Sequence, residues 1–153
     1  MKNDIKILFV SAALLTATAC QQSVDNTEII DAARAGYAAF QEGDMEAWAE
    51  TQSSNVEWIA PKSLPYAGTY YGPQEVMDKV FAPILELWPD FEVTDVNYKA
   101  SGNTVFITTK IFAGGAESDS MHVATIEDGK YVKFQIYDDG GFMMQSAIQE
   151  ISD

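Results

Sequence analysis

The chain has 153 residues, 23 acidic against nine basic, and a formal net charge of −14. That balance repels nucleic acid and anionic lipid head groups, so a partner of either kind is not expected. One cysteine and one histidine exclude an intramolecular disulfide and leave a tetrahedral zinc site without ligands.

The first twenty residues read as an export signal. Lys2 and Lys6 precede a mostly apolar run, and Ala17-Thr18-Ala19 supplies small residues before Cys20. The run is shorter than the roughly 20 apolar residues a membrane span needs. With the cysteine at the cut, the segment resembles a bacterial lipoprotein signal, although Ala17 stands where such signals more often carry leucine. The expected organisation is a signal peptide over 1–19, a lipidated tether over 20–27 and one domain over 28–153. The resemblance implies acylation of Cys20 by palmitate-type chains. It also implies a membrane anchor facing the periplasm or the cell exterior. Gln21 in place of aspartate favours the outer membrane if the cell has one.

Helical spacing starts after the tether. Ile29, Ile30, Ala33, Tyr37 and Phe40 form one stripe. Gly43 ends that helix, and Asp44 is placed to cap a second, short one carrying Met45 and Trp48. Val56 to Ala60 and Thr69 to Tyr71 read as short strands. Gly72-Pro73 opens another helix with Val76, Val80, Phe81, Ile84, Leu85 and Trp88 on its apolar stripe, and Pro83 predicts a kink near Ala82. Four strands follow, over 91–99, 104–112, 119–126 and 131–137. Asp128-Gly129 is a two-residue hairpin signal, whereas Gly114-Gly115 predicts a loose connection. Residues 143–151 are expected to form a short helix on the edge. The order is α+β, with helices on one face of a curved antiparallel sheet.

That order and four local stretches resemble the nuclear transport factor 2-like superfamily, and within it SnoaL-like domains. The stretches are Tyr37 to Asp44, Tyr71 to Val76, His122-Val123 and Glu127 to Asp139. The resemblance implies a cone-shaped sheet wrapped around the N-terminal helices, with a pocket at the wide end. It does not carry an activity, because the superfamily holds isomerases, cyclases, dehydratases and proteins without known chemistry.

His122 is the natural acid–base candidate near neutral pH. With Asp128-Gly129 as the turn, residues 122 and 135 lie opposite, so His122, Gln135, Tyr137 and Asp139 share one face. By resemblance to SnoaL-like cyclases, His122 and Asp139 would be the acid–base pair. Tyr137 or Gln135 would donate to a developing oxyanion. The opposite face carries Met121, Val123, Val132, Phe134 and Ile136, which is more apolar and should face the helices. On that pattern His122 points outward unless a bulge reverses it. Trp58, Trp88 and Tyr71 are the expected pocket aromatics. Glu57 is an alternative carboxylate, expected to point outward. The leading expectation is a membrane-anchored domain binding a small, mostly apolar molecule without a cofactor. The alternatives are a cofactor-free isomerase, cyclase or dehydratase using His122 and Asp139, and a homodimerising interaction module.

Overall fold

The structure is a computed structural model and describes residues 26–151. The leader, Cys20 and most of the tether lie outside the described residues. No described helix is long and apolar enough to cross a membrane.

Helix α1 (Asn26–Gln41) lies across the inner face of a six-stranded sheet and buries Ile29, Ala33, Gly36, Tyr37 and Ala39. Gly36 is there because of a close approach. A Cβ at this position would sit 2.8 Å from Cε2 of Tyr131, whose hydroxyl donates to the Ala33 carbonyl. Gly43 leaves the helix in the left-handed region, at φ 72°. The Asp44 side chain then accepts from the Ala47 N–H at 2.9 Å and starts α2 (Met45–Glu50), as its position suggested.

Pro83 acts one turn earlier than a simple kink. Helix α3 (Pro73–Val76) runs into a π-turn over Met77–Phe81 and then into α4 (Ala82–Leu87). The Ala82 N–H reaches back five residues to the Met77 carbonyl. Widening the turn relieves the clash that a proline ring makes with the carbonyl four residues before it. Most of the apolar stripe survives, with Val76, Val80, Phe81, Ile84 and Trp88 buried, but Leu85 is 56% exposed.

The strands are β1 (Gln52–Ala60), β2 (Gly68–Tyr71), β3 (Glu92–Ser101), β4 (Thr104–Ala113), β5 (Ala116–Glu127) and β6 (Lys130–Tyr137), in the order β2-β1-β6-β5-β4-β3. The sheet is mixed rather than antiparallel throughout, because β1 pairs parallel with β6. The segment between them in sequence, which includes the whole β3–β5 meander, supplies the long connection that a parallel pair needs. The Asp128-Gly129 turn is as tight as expected, with φ of 50° and 73° and Glu127 opposite Lys130. Gly114-Gly115 is equally tight, against the loose connection expected. Both glycines have positive φ, Ala113 pairs with Ala116, and the Asp90 carboxylate accepts from both glycine N–H groups at 2.9 Å.

Three register shifts interrupt the ladders, one of them in β1 between Gln52 and Glu57, and such irregularities bend a sheet. In β3 the register shifts between Asp95 and Asn97, leaving Val96 exposed. In β6 Thr125 pairs with Lys133 and Ile126 with Tyr131, so Val132 is an extra residue. The final helix, α5 (Gly140–Ile151), starts three residues earlier than expected and is tied to the core through Trp88, whose Nε1–H donates to Ser146 Oγ at 3.0 Å.

Candidate functional site

The extra residue at Val132 decides which way the chemistry faces. Before it, Tyr131 is buried; after it, Phe134 is buried, an offset that unbroken alternation forbids. His122 therefore pairs with Ile136, not Gln135. On β5 the inward row is Ser120, His122, Ala124 and Ile126, while Met121 is 42% exposed. The apolar outer row of Met121 and Val123 is a feature of the outer face, not a pointer to the core, and His122 is inside.

Around His122 the structure gathers groups from three elements. Tyr37 of α1 meets Nδ1 at 2.5 Å. Asp138, just beyond β6, places Oδ1 3.6 Å from Nε2, with the two side chains 8% and 6% exposed. Ser120, two residues before His122 on β5, donates to Asp138 Oδ1 and steadies it. Burial pushes the Tyr37 phenol well above its ordinary pKa, with nearby phenols and carboxylates adding to the effect. Tyr37 therefore keeps its proton; the carboxylate beside Nε2 favours a ring proton there, and in that tautomer the phenol donates to Nδ1. A neutral His122 then carries its own proton on Nε2, on the side of Asp138. Nε2 is buried and has no hydrogen-bond partner among the described residues, since 3.6 Å to Asp138 exceeds hydrogen-bond length.

These groups face a cavity that opens to solvent. Its wall is aromatic. The Trp58 ring stacks on Phe134 at 4.0 Å, Trp48 meets Phe81 edge-on at 4.7 Å, and Tyr66, Phe40 and Phe91 complete the lining. Of its lining residues only Asp138 is a carboxylic acid, and none is lysine or arginine.

The residues picked from the sequence divide clearly. His122 and Trp58 line the cavity. Asp139 does not reach it: this exposed carboxylate accepts from the Gly141 and Phe142 N–H groups at 3.1 Å each and caps α5. Its neighbour Asp138 holds the position beside His122. Tyr137 is 54% exposed on the outer face, and Gln135 shares that face, opposite Val123 and Ile59. Tyr71 is 61% exposed on β2. Trp88 is fully buried beneath α5, outside the cavity lining. Glu57 points outward, as expected, and pairs with Lys133 at 2.9 Å. Tyr37, Ser120, Asp138 and Gln52 are the site residues that sequence reasoning missed. Tyr37 lay in plain view on the helix stripe, but nothing local marked its partner on β5. No cluster of three or more metal-ligating side chains occurs among the described residues.

A neutral Nε2–H beside a carboxylate is a donor and a base side by side. Such a pair can hold a carbonyl oxygen and take a proton from the carbon next to it.

A family model for a SnoaL-like domain matches residues 33–134. The fold is similar to that of TerC co-crystallised with polyporic acid, with a TM-score of 0.72 at 22% identity over 79% of this chain and 98% of that one. An NTF2-like protein from Burkholderia thailandensis E264 gives 0.70 at 23% identity, over 77% and 95%. A protein with a cystatin-like fold from Xanthomonas campestris gives 0.68 at 26% identity, over 78% and 96%. No curated protein matches the chain.

Proposed function

The chain belongs to the SnoaL-like domain family, and we propose that its cavity binds a small, mostly apolar carbonyl compound and moves a proton on it without a cofactor. The observation that carries the reading is the buried Nε2 of His122, free of a protein hydrogen bond and 3.6 Å from the buried Asp138 carboxylate in an aromatic cavity. In this reading Asp138 takes a proton from the carbon beside the carbonyl. The Nε2–H of His122 holds the oxygen as it gains charge. The Asp138 carboxyl then either swaps its proton with solvent and returns one to the same carbon, an exchange, or, where the enolate is conjugated to a double bond, delivers the proton to the far end of that double bond, an isomerisation. Tyr37 acts through His122: by donating to Nδ1 it keeps the proton on Nε2.

Acetophenone tests this, being small, apolar and acidic only beside its carbonyl. The exported chain from residue 20, with Cys20→Ser, is the sample, since every core residue identified lies between Ile29 and Ala147. The protein should bind acetophenone and speed exchange of its methyl protons into deuterated water. Asp138→Asn should abolish the acceleration and Asp139→Asn should not. Binding without exchange would leave a binding module and remove the proton-transfer step.

The export reading joins this one as a proposal. Its support is the leader and Cys20, and it places the cavity outside the cytoplasmic membrane on an acyl anchor. Labelling of the full chain with a fatty acid in a bacterial host should be lost in Cys20→Ala; labelling that persists would contradict it.

A further inference from the structure

Within the described residues, four buried side-chain polar atoms lack a hydrogen-bond partner, and three of them belong to residues lining this one cavity: His122 Nε2, Trp58 Nε1 and Gln52 Oε1. Buried polar groups are satisfied in nearly all stable folds, so such a concentration marks where a ligand's polar atoms go. We propose that Trp58 and Gln52 form a second polar station that recognises a neutral hydroxyl on the ligand, apart from the His122–Asp138 pair. The inference rests on the binding reading above and adds to it the class of ligand, a flat, uncharged hydroxy-ketone.

The atom types define what the station takes. Trp58 Nε1–H can only donate. The Gln52 amide is fixed by its neighbours: Thr51 donates its hydroxyl proton to the Trp48 carbonyl at 2.7 Å, so Thr51 Oγ1 must accept from Gln52 Nε2 at 2.7 Å. Gln52 is left with a free acceptor, Oε1. One donor and one acceptor suit a hydroxyl, which both accepts and donates. A carboxylate offers no proton to Oε1, and no lysine or arginine lines the cavity to offset its charge, while Asp138 and the overall charge of −14 oppose it.

Trp58 stacks on Phe134 at 4.0 Å, and His122 meets the same ring edge-on at 5.2 Å, so the two stations flank one aromatic side chain. In this proposal a ring bearing a carbonyl and a hydroxyl lies along that aromatic wall and meets both stations. Gln52 and Trp58 are 2% and 5% exposed, so their polar atoms have little competing access to bulk water.

The test compares three ketones by titration of tryptophan fluorescence: acetophenone, 4-hydroxyacetophenone and 4-acetylbenzoate. The hydroxy compound should bind about tenfold or more tightly than acetophenone, because it meets two buried groups that acetophenone leaves unpaired. The benzoate should bind no better than acetophenone. Trp58→Phe removes the N–H and keeps an aromatic wall; Gln52→Met removes the acceptor and keeps the volume. Each should erase most of the hydroxyl preference, read as the ratio of the two ketones' affinities within the same variant. If acetophenone binds but the hydroxyl brings no gain, or if the gain survives both substitutions, this inference falls and the proton-transfer reading stands. If none of the ketones binds at millimolar concentration, both fall.

Discussion

Tyr37→Phe removes one oxygen and leaves the ring, and the account makes it costly. Tyr37 and His122 are each 6% exposed, and their 2.5 Å hydrogen bond joins α1 to β5 across the core. A buried bond of this kind contributes on the order of 1 kcal/mol net, and an orphaned buried acceptor adds a desolvation cost, so the loss should be about 1–3 kcal/mol. The Phe ring keeps the edge-on contact with Tyr98 at 6.1 Å, so no cavity beyond the missing hydroxyl is made. Urea unfolding of both proteins gives the difference directly, with the slope unchanged if only stability moves. A second readout is the histidine tautomer, seen in the side-chain nitrogen shifts of His122. Without the phenol donating to Nδ1, the proton should redistribute between the two ring nitrogens. A loss below about 0.5 kcal/mol, with Nε2 still holding the proton, would refute the idea that Tyr37 anchors and sets His122.

Gly36→Ala should destabilise the fold by about 1–2 kcal/mol in the same assay, because the strain of pushing on Tyr131 exceeds the helix-propensity gain of about 1 kcal/mol; a stabilised variant would contradict the close packing. Asp90 is held below the ordinary carboxylate range by the Gly114 and Gly115 N–H groups, so it stabilises the fold above its unfolded pKa of about 4 and loses that contribution as pH falls through its lower folded value. Asp90→Asn should therefore flatten the acid limb of the stability profile, and an unaltered limb would count against the turn contact. Burial raises the phenols of Tyr37, Tyr66, Tyr98 and Tyr131, so their contribution is intact below about pH 10 and lost as pH rises further. An ultraviolet titration should show these four ionising together with unfolding, and four that titrate early in the folded protein would contradict their burial.

What the sequence revealed depended on how local the signal was. The α1 stripe, the Gly43-Asp44 junction and the Asp128-Gly129 turn are decided by neighbours a few residues apart, and each appears in the fold as read. The facing of His122 depends on Val132 being an extra residue in β6, and that follows from packing Tyr131 against Gly36 and Phe134 against Trp58 together. Neither contact is local, so simple alternation assigned the wrong face. The same shift explains the choice between adjacent carboxylates. Asp139 shares the parity of His122 in an unbulged hairpin, but the bulge gives Asp138 the inward position and leaves Asp139 to cap α5. The breadth of the outer face added to the error. Phe106, Phe112, Met121 and Tyr137 are all partly exposed there, so hydrophobicity alone did not tell inside from outside. Pro83 announced a distortion but not its form, because the π-turn keeps Val80, Phe81 and Ile84 on one face where a sharp break would scatter them.

The central claim is that His122 is an internal group coupled to Asp138, and the single histidine makes a side-chain NMR experiment unambiguous. The account predicts one dominant tautomer with the proton on Nε2, signals that move on adding acetophenone, and a change with Asp138→Asn that Asp139→Asn does not reproduce. A tautomer mixture like that of a solvated histidine, indifferent to acetophenone and to both substitutions, would contradict it.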